Sequence, residues 1–95
     1  MEEKQKAPSK LTKGSHYRVV SKADQSSSIT SEGEFLGYLQ FGQDSGIMIQ
    51  LESKDKSLNG TIRIIPSLVV LYIDVLSIKE EEEIKKKEGP LVSYG

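Results

Sequence analysis

The chain has 95 residues and a mass of 10.5 kDa, which limits it to one small domain. Its 13 basic and 14 acidic side chains give a net charge of -1, so the overall charge does not favour nucleic acid or anionic membranes as partners. Because it has no Cys and a single His, the usual structural zinc sites, disulfide frameworks and thiol nucleophiles are excluded. We therefore expect a non-catalytic protein with no cofactor, no metal and no small-molecule substrate.

The first 13 residues are polar and basic. They contain four Lys and two Glu, a net charge of +2, and their apolar side chains besides one Pro are Met1, Ala7 and Leu11. Because these few apolar groups cannot offset the entropy cost of ordering the chain, residues 1–13 are predicted to form a disordered arm. The chain shows no apolar run of the length that a secretory signal or a membrane span requires. The sequence thus predicts a soluble, cytoplasmic protein with no membrane partner.

Residues 14–78 are predicted to form the folded domain, which begins with a strand over residues 16–22. Apolar and polar side chains alternate there with the period of two that is typical of a half-buried strand. Residues 23–31 contain four Ser together with Asp24 and Gln25. They are therefore predicted to form a long exposed loop.

A second strand is predicted over residues 32–41, with a glycine in its interior. The alternation places Phe35 and Phe41 on the inward face and Tyr38 on the opposite face. Gly37 lies between them, and an interior glycine is typical of the sharp bend or bulge that a small barrel needs in order to close. Residues 42–46 have a glycine at each end and are predicted to form a five-residue hairpin loop.

Three more strands are predicted, over residues 47–52, 61–65 and 69–76. The fourth strand stops at Pro66, which has no N–H group to donate to a ladder. The short connection from Pro66 to Leu68 fits a single turn of 3₁₀ helix. Since the fifth strand is apolar on almost both faces, it is expected to be covered on both sides.

The C-terminal segment, residues 79–95, changes character to a run of charges. Three Glu residues each precede a Lys by four positions, which favours a short exposed helix that ends at Gly89 and Pro90. Residues 91–94 are apolar apart from one Ser, and the sequence leaves three possibilities for them. They add a strand to their own sheet, dock on a partner, or do neither.

Five short strands, a bent second strand and a very short fourth connection describe an all-β, strongly bent small barrel. The motifs over residues 33–38, 47–51, 60–63 and 69–73 resemble the two sequence motifs of the Sm-like family, within the wider Src-homology-3-like barrels. The resemblance covers about residues 16–78. It implies that the fourth and fifth strands pair with neighbouring chains, as they do in Sm-like rings, and that the protein is part of an assembly such as a ribonucleoprotein.

The sequence therefore predicts a binding module that joins an intracellular assembly through strand edges and rim loops, with a protein partner or further copies of itself. A monomer whose C-terminal segment covers the edge is the alternative for the oligomeric state. The alternative function is direct binding of single-stranded RNA, by aromatic rings that stack on bases and by cations that contact phosphates. The same residues also have a purely structural explanation, in which the aromatic rings pack at the core or rim and the charges keep a loop soluble. The candidate RNA-binding residues are Tyr38, Arg63, Tyr72, Lys22, Lys54 and Lys56.

Overall fold

The structure of the protein is a computed structural model, and it describes residues 10–79. Most of the predicted N-terminal arm and the predicted C-terminal helix and tail lie outside these residues. Five strands and one 3₁₀ turn follow one another along the chain. They are β1 (His16–Asp24), β2 (Ser27–Phe41), β3 (Asp44–Leu51), β4 (Ile62–Pro66), the 3₁₀ turn Ser67–Val69 and β5 (Val70–Ser77).

All five strands belong to one antiparallel sheet in the order β4-β3-β2-β1-β5. The all-β prediction and the count of five strands are confirmed for the described residues. The 3₁₀ turn predicted after the fourth strand is also confirmed. The sheet is open in this part of the chain, and β4 and β5 are its two edges.

The prediction of a long exposed loop over residues 23–31 is wrong, because β2 begins at Ser27 and extends the hairpin with β1. A serine-rich stretch still forms a ladder when a neighbouring strand supplies backbone partners. The turn itself is held by Asp24, whose Oδ1 accepts hydrogen bonds from the Ser26 N–H (2.9 Å) and the Ser27 hydroxyl (2.8 Å). The carboxylate therefore closes the hairpin at residues 25–26.

The connection between β2 and β3 is shorter than the five-residue loop predicted over residues 42–46. β3 begins at Asp44, so residues 42–43 alone form the turn, and Gly42 adopts a positive φ of 65°. Two-residue hairpin turns of this kind match the twist of the strands that they join. The other strand boundaries lie within two residues of their predicted positions.

The bend predicted at Gly37 is confirmed, since Gly37 has φ 138° and the β2–β3 register shifts between Phe35 and Gly37. Because of this shift, the side chains after Gly37 lie on the face of the sheet opposite to the one that simple alternation predicts. Tyr38 therefore lies on the same side as Phe35, with the two rings edge to face and their centroids 5.1 Å apart. The prediction that Tyr38 faces away from Phe35 is wrong, and so is the placement of Phe41 in the core, because Phe41 is 41% exposed.

The core lies on the concave side of the bent sheet. At its centre, the rings of Tyr17 and Phe35 meet edge to face, with centroids 6.0 Å apart. The Tyr17 hydroxyl accepts a hydrogen bond from the Thr12 N–H (3.0 Å), which attaches the segment before β1 to the core. The buried apolar cluster consists of Tyr17, Val19, Phe35, Ile47, Ile49, Leu51 and Ile65.

The prediction that β5 is covered on both faces is wrong for the described residues. β5 pairs with β1 alone, and its apolar side chains remain largely exposed. The cause is its position at the edge of the sheet, where a strand has one neighbour instead of two. The exposed apolar residues of β5 are Leu71, Tyr72, Val75 and Leu76.

Gly33 lies where β2 is closest to β3. A Cβ atom at this position would lie 2.0 Å from the Gln50 carbonyl oxygen and 3.0 Å from the Leu51 Cα, which are backbone atoms that cannot rotate away. The glycine is therefore required by the close approach of two strands, and its neighbours leave no space for a methyl group.

We expect the substitution Gly33→Ala to destabilise the protein by about 3 kcal/mol, because the new methyl group forces β2 and β3 apart. The measurement is the free energy of unfolding from urea denaturation followed by circular dichroism. Gly42→Ala is the matched control, since nothing lies within 4 Å of that position and its cost is limited to the positive φ, about 1 kcal/mol. Equal losses for the two variants would contradict the role assigned to Gly33.

Candidate interaction edges

The first exposed edge is β4. Ile65 of this strand points into the core, whereas its neighbours Ile62 (52% exposed) and Ile64 point outward. Within residues 10–79, β4 pairs with β3 on one side and with no strand on the other. An apolar strand with one free side is a site where a strand of another chain can add by backbone hydrogen bonds.

The second exposed edge is β5, and two irregularities define its usable length. The register with β1 shifts before Tyr72 and after Val75, so residues 72–75 form one regular stretch of four residues. β4 offers a stretch of the same length, residues 62–65, before Pro66, which has no N–H group. The two edges of the sheet therefore match each other in length.

Asp74, in the middle of the β5 edge, is held by Arg18. The Arg18 Nη1 donates to Asp74 Oδ2 at 3.3 Å, and Nε donates to Glu32 Oε2 at 2.7 Å. These hydrogen bonds, first that with Glu32 and then that with Asp74, raise the pKa of the Arg18 guanidinium above its usual value. One side chain thus links the outer faces of β5, β1 and β2, and the carboxylate of Asp74 already has a partner.

The structure does not bring the two candidate tyrosines together. Tyr38 is 59% exposed and Tyr72 is 57% exposed, so both rings are accessible. However, Tyr72 is level with Thr30 of β2 through their common partner Val20. Val20 is on the face of β1 opposite to the core residues Tyr17 and Val19, whereas Tyr38 packs against the core residue Phe35. The two rings therefore do not form one stacking surface.

The candidate cations are also dispersed. Lys22 lies near the β1–β2 turn, where it pairs with Ser28. Lys54 and Lys56 are exposed in the β3–β4 loop, residues 52–61. Arg63 is on the core-facing side of β4, because its register partner Ile49 is fully buried. These residues lie on different parts of the sheet, a separation that the sequence pattern does not indicate.

A polar cluster that the sequence did not indicate joins three elements near the start of β1. His16 Nε2 donates to Glu52 Oε2 at 2.9 Å, and the Ser77 hydroxyl lies 3.4 Å from His16 Nδ1. Serine, imidazole and carboxylate are also the groups of nucleophilic catalysis. Here the Ser77 contact is long and the side chains of His16 and Glu52 are solvent-exposed, so the arrangement serves as a tie between β1, β5 and the end of β3.

Comparison with known proteins found no match: no family model fits the chain, and no curated protein or solved structure is significantly similar to it. Among residues 10–79, no helix is long and apolar enough to cross a membrane. The same residues contain no group of three or more His, Cys, Asp or Glu side chains placed to hold a metal ion. The two candidate edges are therefore interpreted from their geometry alone.

The β3–β4 loop, which carries Lys54 and Lys56, is organised by Asp55. Its carboxylate Oδ1 accepts hydrogen bonds from the Ser57 hydroxyl (2.7 Å) and the Ser57 N–H (2.9 Å). Its backbone carbonyl accepts the N–H groups of Leu58 and Asn59. These contacts favour the charged carboxylate, and the hydrogen bonds from Ser57 lower the pKa of Asp55 below its usual value.

We expect Ser57→Ala to raise the pKa of Asp55 towards its ordinary value, because the larger of the two stabilising hydrogen bonds is lost. A folded-state pKa below the unfolded one means that the loop contributes stability above the ordinary Asp pKa of 3.8, and that this contribution is lost as the pH falls through the lower folded value. NMR titration of the side-chain carboxyl carbons measures the pKa, and urea denaturation over the same pH range measures the stability.

The internal control in the Ser57→Ala titration is Asp24, whose pKa is lowered by the Ser26 N–H and the Ser27 hydroxyl. Neither donor is changed by the substitution, so the Asp24 midpoint is expected to stay where it is. An Asp55 midpoint that is the same in wild type and variant would show that Ser57 does not set it.

Proposed function

We propose that this protein is a non-catalytic binding module, a small Sm-like or Src-homology-3-like barrel, that joins a cytoplasmic assembly through its β4 and β5 edges. The observation that carries the proposal is the presence of two apolar, unpaired edges on one short sheet among the described residues. The five-strand pattern and the motif resemblance support the barrel. A ribonucleoprotein is the kind of assembly that the resemblance favours.

The chemistry of the two edges supports strand pairing. Natural sheets protect their edges with exposed charges, especially Lys, or with inward-pointing charged groups. Each edge carries one such charge, and each charge is already bonded within the protein: the inward-pointing Arg63 of β4 to Ser31, and the partly exposed Asp74 of β5 to Arg18. The outward surfaces of both edges are therefore dominated by apolar side chains, and their burial would add hydrophobic stabilisation to the new backbone hydrogen bonds.

The two edges are different surfaces, so a contact between β4 of one copy and β5 of the next is heterologous. Such contacts repeat from copy to copy, and they close into a ring when the rotation between copies allows it. A different protein with a free strand edge would fill either position in the same way. The proposal thus includes a homo-oligomer and a mixed assembly as two forms of one mechanism.

We expect the isolated protein to be oligomeric at micromolar concentration in native mass spectrometry. Ile64→Lys, on the β4 edge, and Tyr72→Lys, on the β5 edge, should each give a monomer because a desolvated charge opposes pairing. An equimolar mixture of these two variants should form a dimer, since one intact β4 edge meets one intact β5 edge. This rescue distinguishes heterologous pairing from a symmetric contact.

The control is Ile29→Lys, which changes an equally exposed apolar side chain that lies on β2, away from both edges. It is expected to leave the oligomer intact. A wild-type protein that is monomeric in isolation, and that also recovers no partner from cell extract, would refute the proposal.

Direct binding of single-stranded RNA is the second candidate, and the high exposure of Tyr38 and Tyr72 is the observation in its favour. Against it, the two rings lie on opposite faces of the sheet, and residues 14–78 carry five basic and seven acidic side chains, a net charge of -2. We expect no saturable binding of uridine-rich or mixed-sequence oligonucleotides in fluorescence anisotropy, even at low salt.

Saturable, salt-dependent binding that is weakened by Tyr38→Ala or Tyr72→Ala would reverse this order of the two candidates. Phe41→Ala is the control in that case, because Phe41 is also an exposed aromatic residue but is not among the candidate RNA-binding residues.

A further inference from the structure

A cleft of about 220 Å³ lies where the bent β2, the end of β3 and the β3–β4 loop meet. Its walls combine apolar, hydroxyl, cationic and carboxylate groups. Leu51 and Leu58 supply apolar surface, Thr30 and Ser53 are hydroxyl residues, and Arg63 supplies a guanidinium group. The cleft is separate from the outward faces of Ile62 and Ile64, so its function does not depend on the strand edges.

The position of Arg63 is fixed from inside the protein. Its Nη1 donates a hydrogen bond of 2.8 Å to the hydroxyl of Ser31, a residue that is only 1% exposed. The ion pairs within residues 10–79 involve His16 and Arg18 and do not include Arg63. The guanidinium is thus oriented by one bond, while its charge has no carboxylate partner in the described part of the chain and its remaining N–H groups can bind a ligand.

Two carboxylates also line the cleft, and both are already bound elsewhere. Glu32 accepts from Arg18 at 2.7 Å, and Glu52 accepts from His16 at 2.9 Å. They still make the rim partly negative. They repel a doubly charged phosphate or a polyanion more strongly than a carboxylate, whose single charge and planar shape match one guanidinium group.

The size of the cleft limits the ligand further. Pockets for drug-sized molecules begin at roughly 300 Å³. The present cleft is smaller, at about 220 Å³. It has room for an acid group with one short side chain, which would lie against Leu51 and Leu58.

We propose that this cleft binds a carboxylate that carries a small apolar substituent, with Arg63 as the carboxylate-binding residue and the two leucines as the apolar wall. A free branched short-chain acid and the C-terminal residue of a peptide present the same chemistry. The site is a binding site only, and no bond is made or broken in it. It would give the module a second means of recognition that does not involve strand pairing.

The experiment is an NMR titration of the ¹⁵N-labelled full-length chain with isovalerate, acetate, inorganic phosphate, and a short peptide ending in Leu with either a free or an amidated C-terminus. We expect shifts confined to Thr30, Ser53, Leu58 and the Arg63 side chain. Isovalerate should bind at least about tenfold more tightly than acetate, because only isovalerate reaches the apolar wall. Phosphate should not compete. The free peptide, but not the amidated one, should bind if the natural ligand is a C-terminus.

Three variants complete the test. Arg63→Gln removes the positive charge while keeping a polar side chain, and it should weaken isovalerate binding at least about tenfold. Leu58→Ser should reduce the preference for isovalerate over acetate. Lys54→Gln, which removes a cation from the same loop, should change neither value. Thermal unfolding of each variant shows whether it is folded, and the edge variant Ile64→Lys should bind isovalerate as the wild type does, so failure of this proposal is distinct from failure of edge pairing.

The proposal is overturned if none of the acids shifts these resonances at about 10 mM, a concentration above the millimolar dissociation constant expected for so small a ligand. It is equally overturned if the shifts persist in a folded Arg63→Gln variant. Tighter binding of phosphate than of isovalerate would show that the site selects charge alone and would contradict the assignment of a carboxylate.

Discussion

The contact between β2 and β3 at Gly33 determines the shape of the sheet. β2 pairs with β1 through residues 27–34 and with β3 through residues 33–41, so the strand changes its neighbour at Gly33. The Gln50 carbonyl oxygen would lie 2.0 Å from a Cβ atom there. One fifteen-residue strand can serve both halves of the sheet only because this position has no side chain.

The bent shape of β2 also creates the core. The β1 half contributes Tyr17 and Val19, the β3 half contributes Ile47 and Ile49, and Phe35 of β2 lies between them. Because the two halves face each other across this cluster, the sheet buries one side without a second layer. The same geometry leaves β4 and β5 as free edges in the described part of the chain, so the bend and the proposed interaction surfaces have one origin.

Most of the strands could be predicted from the sequence, because alternation of apolar residues is a local property and each strand carries it. The predictions are wrong where pairing with a strand that is distant in the sequence determines the local structure. The serines after Asp24 form a ladder with β1, and the register shift before Gly37 turns Tyr38 to the side of Phe35, whereas alternation alone gives the opposite result. Nothing local to Arg63 indicates its bond with Ser31, which lies 32 residues away. The arrangement of the candidate site residues could for this reason not be predicted from the sequence, and their role in binding stays a prediction.

The register shifts of β5 limit the length of the edge on which the proposed pairing depends. They restrict its regular stretch to residues 72–75, and Pro66 restricts β4 to residues 62–65. A long flat edge pairs in many registers and promotes open aggregation, whereas bulges and proline shorten an edge and fix the register. Two edges of four residues each therefore combine apolar surfaces that favour pairing with backbone features that oppose unlimited growth. The same backbone features also protect the edges from unspecific pairing, so any strand that pairs with them has few registers to choose from.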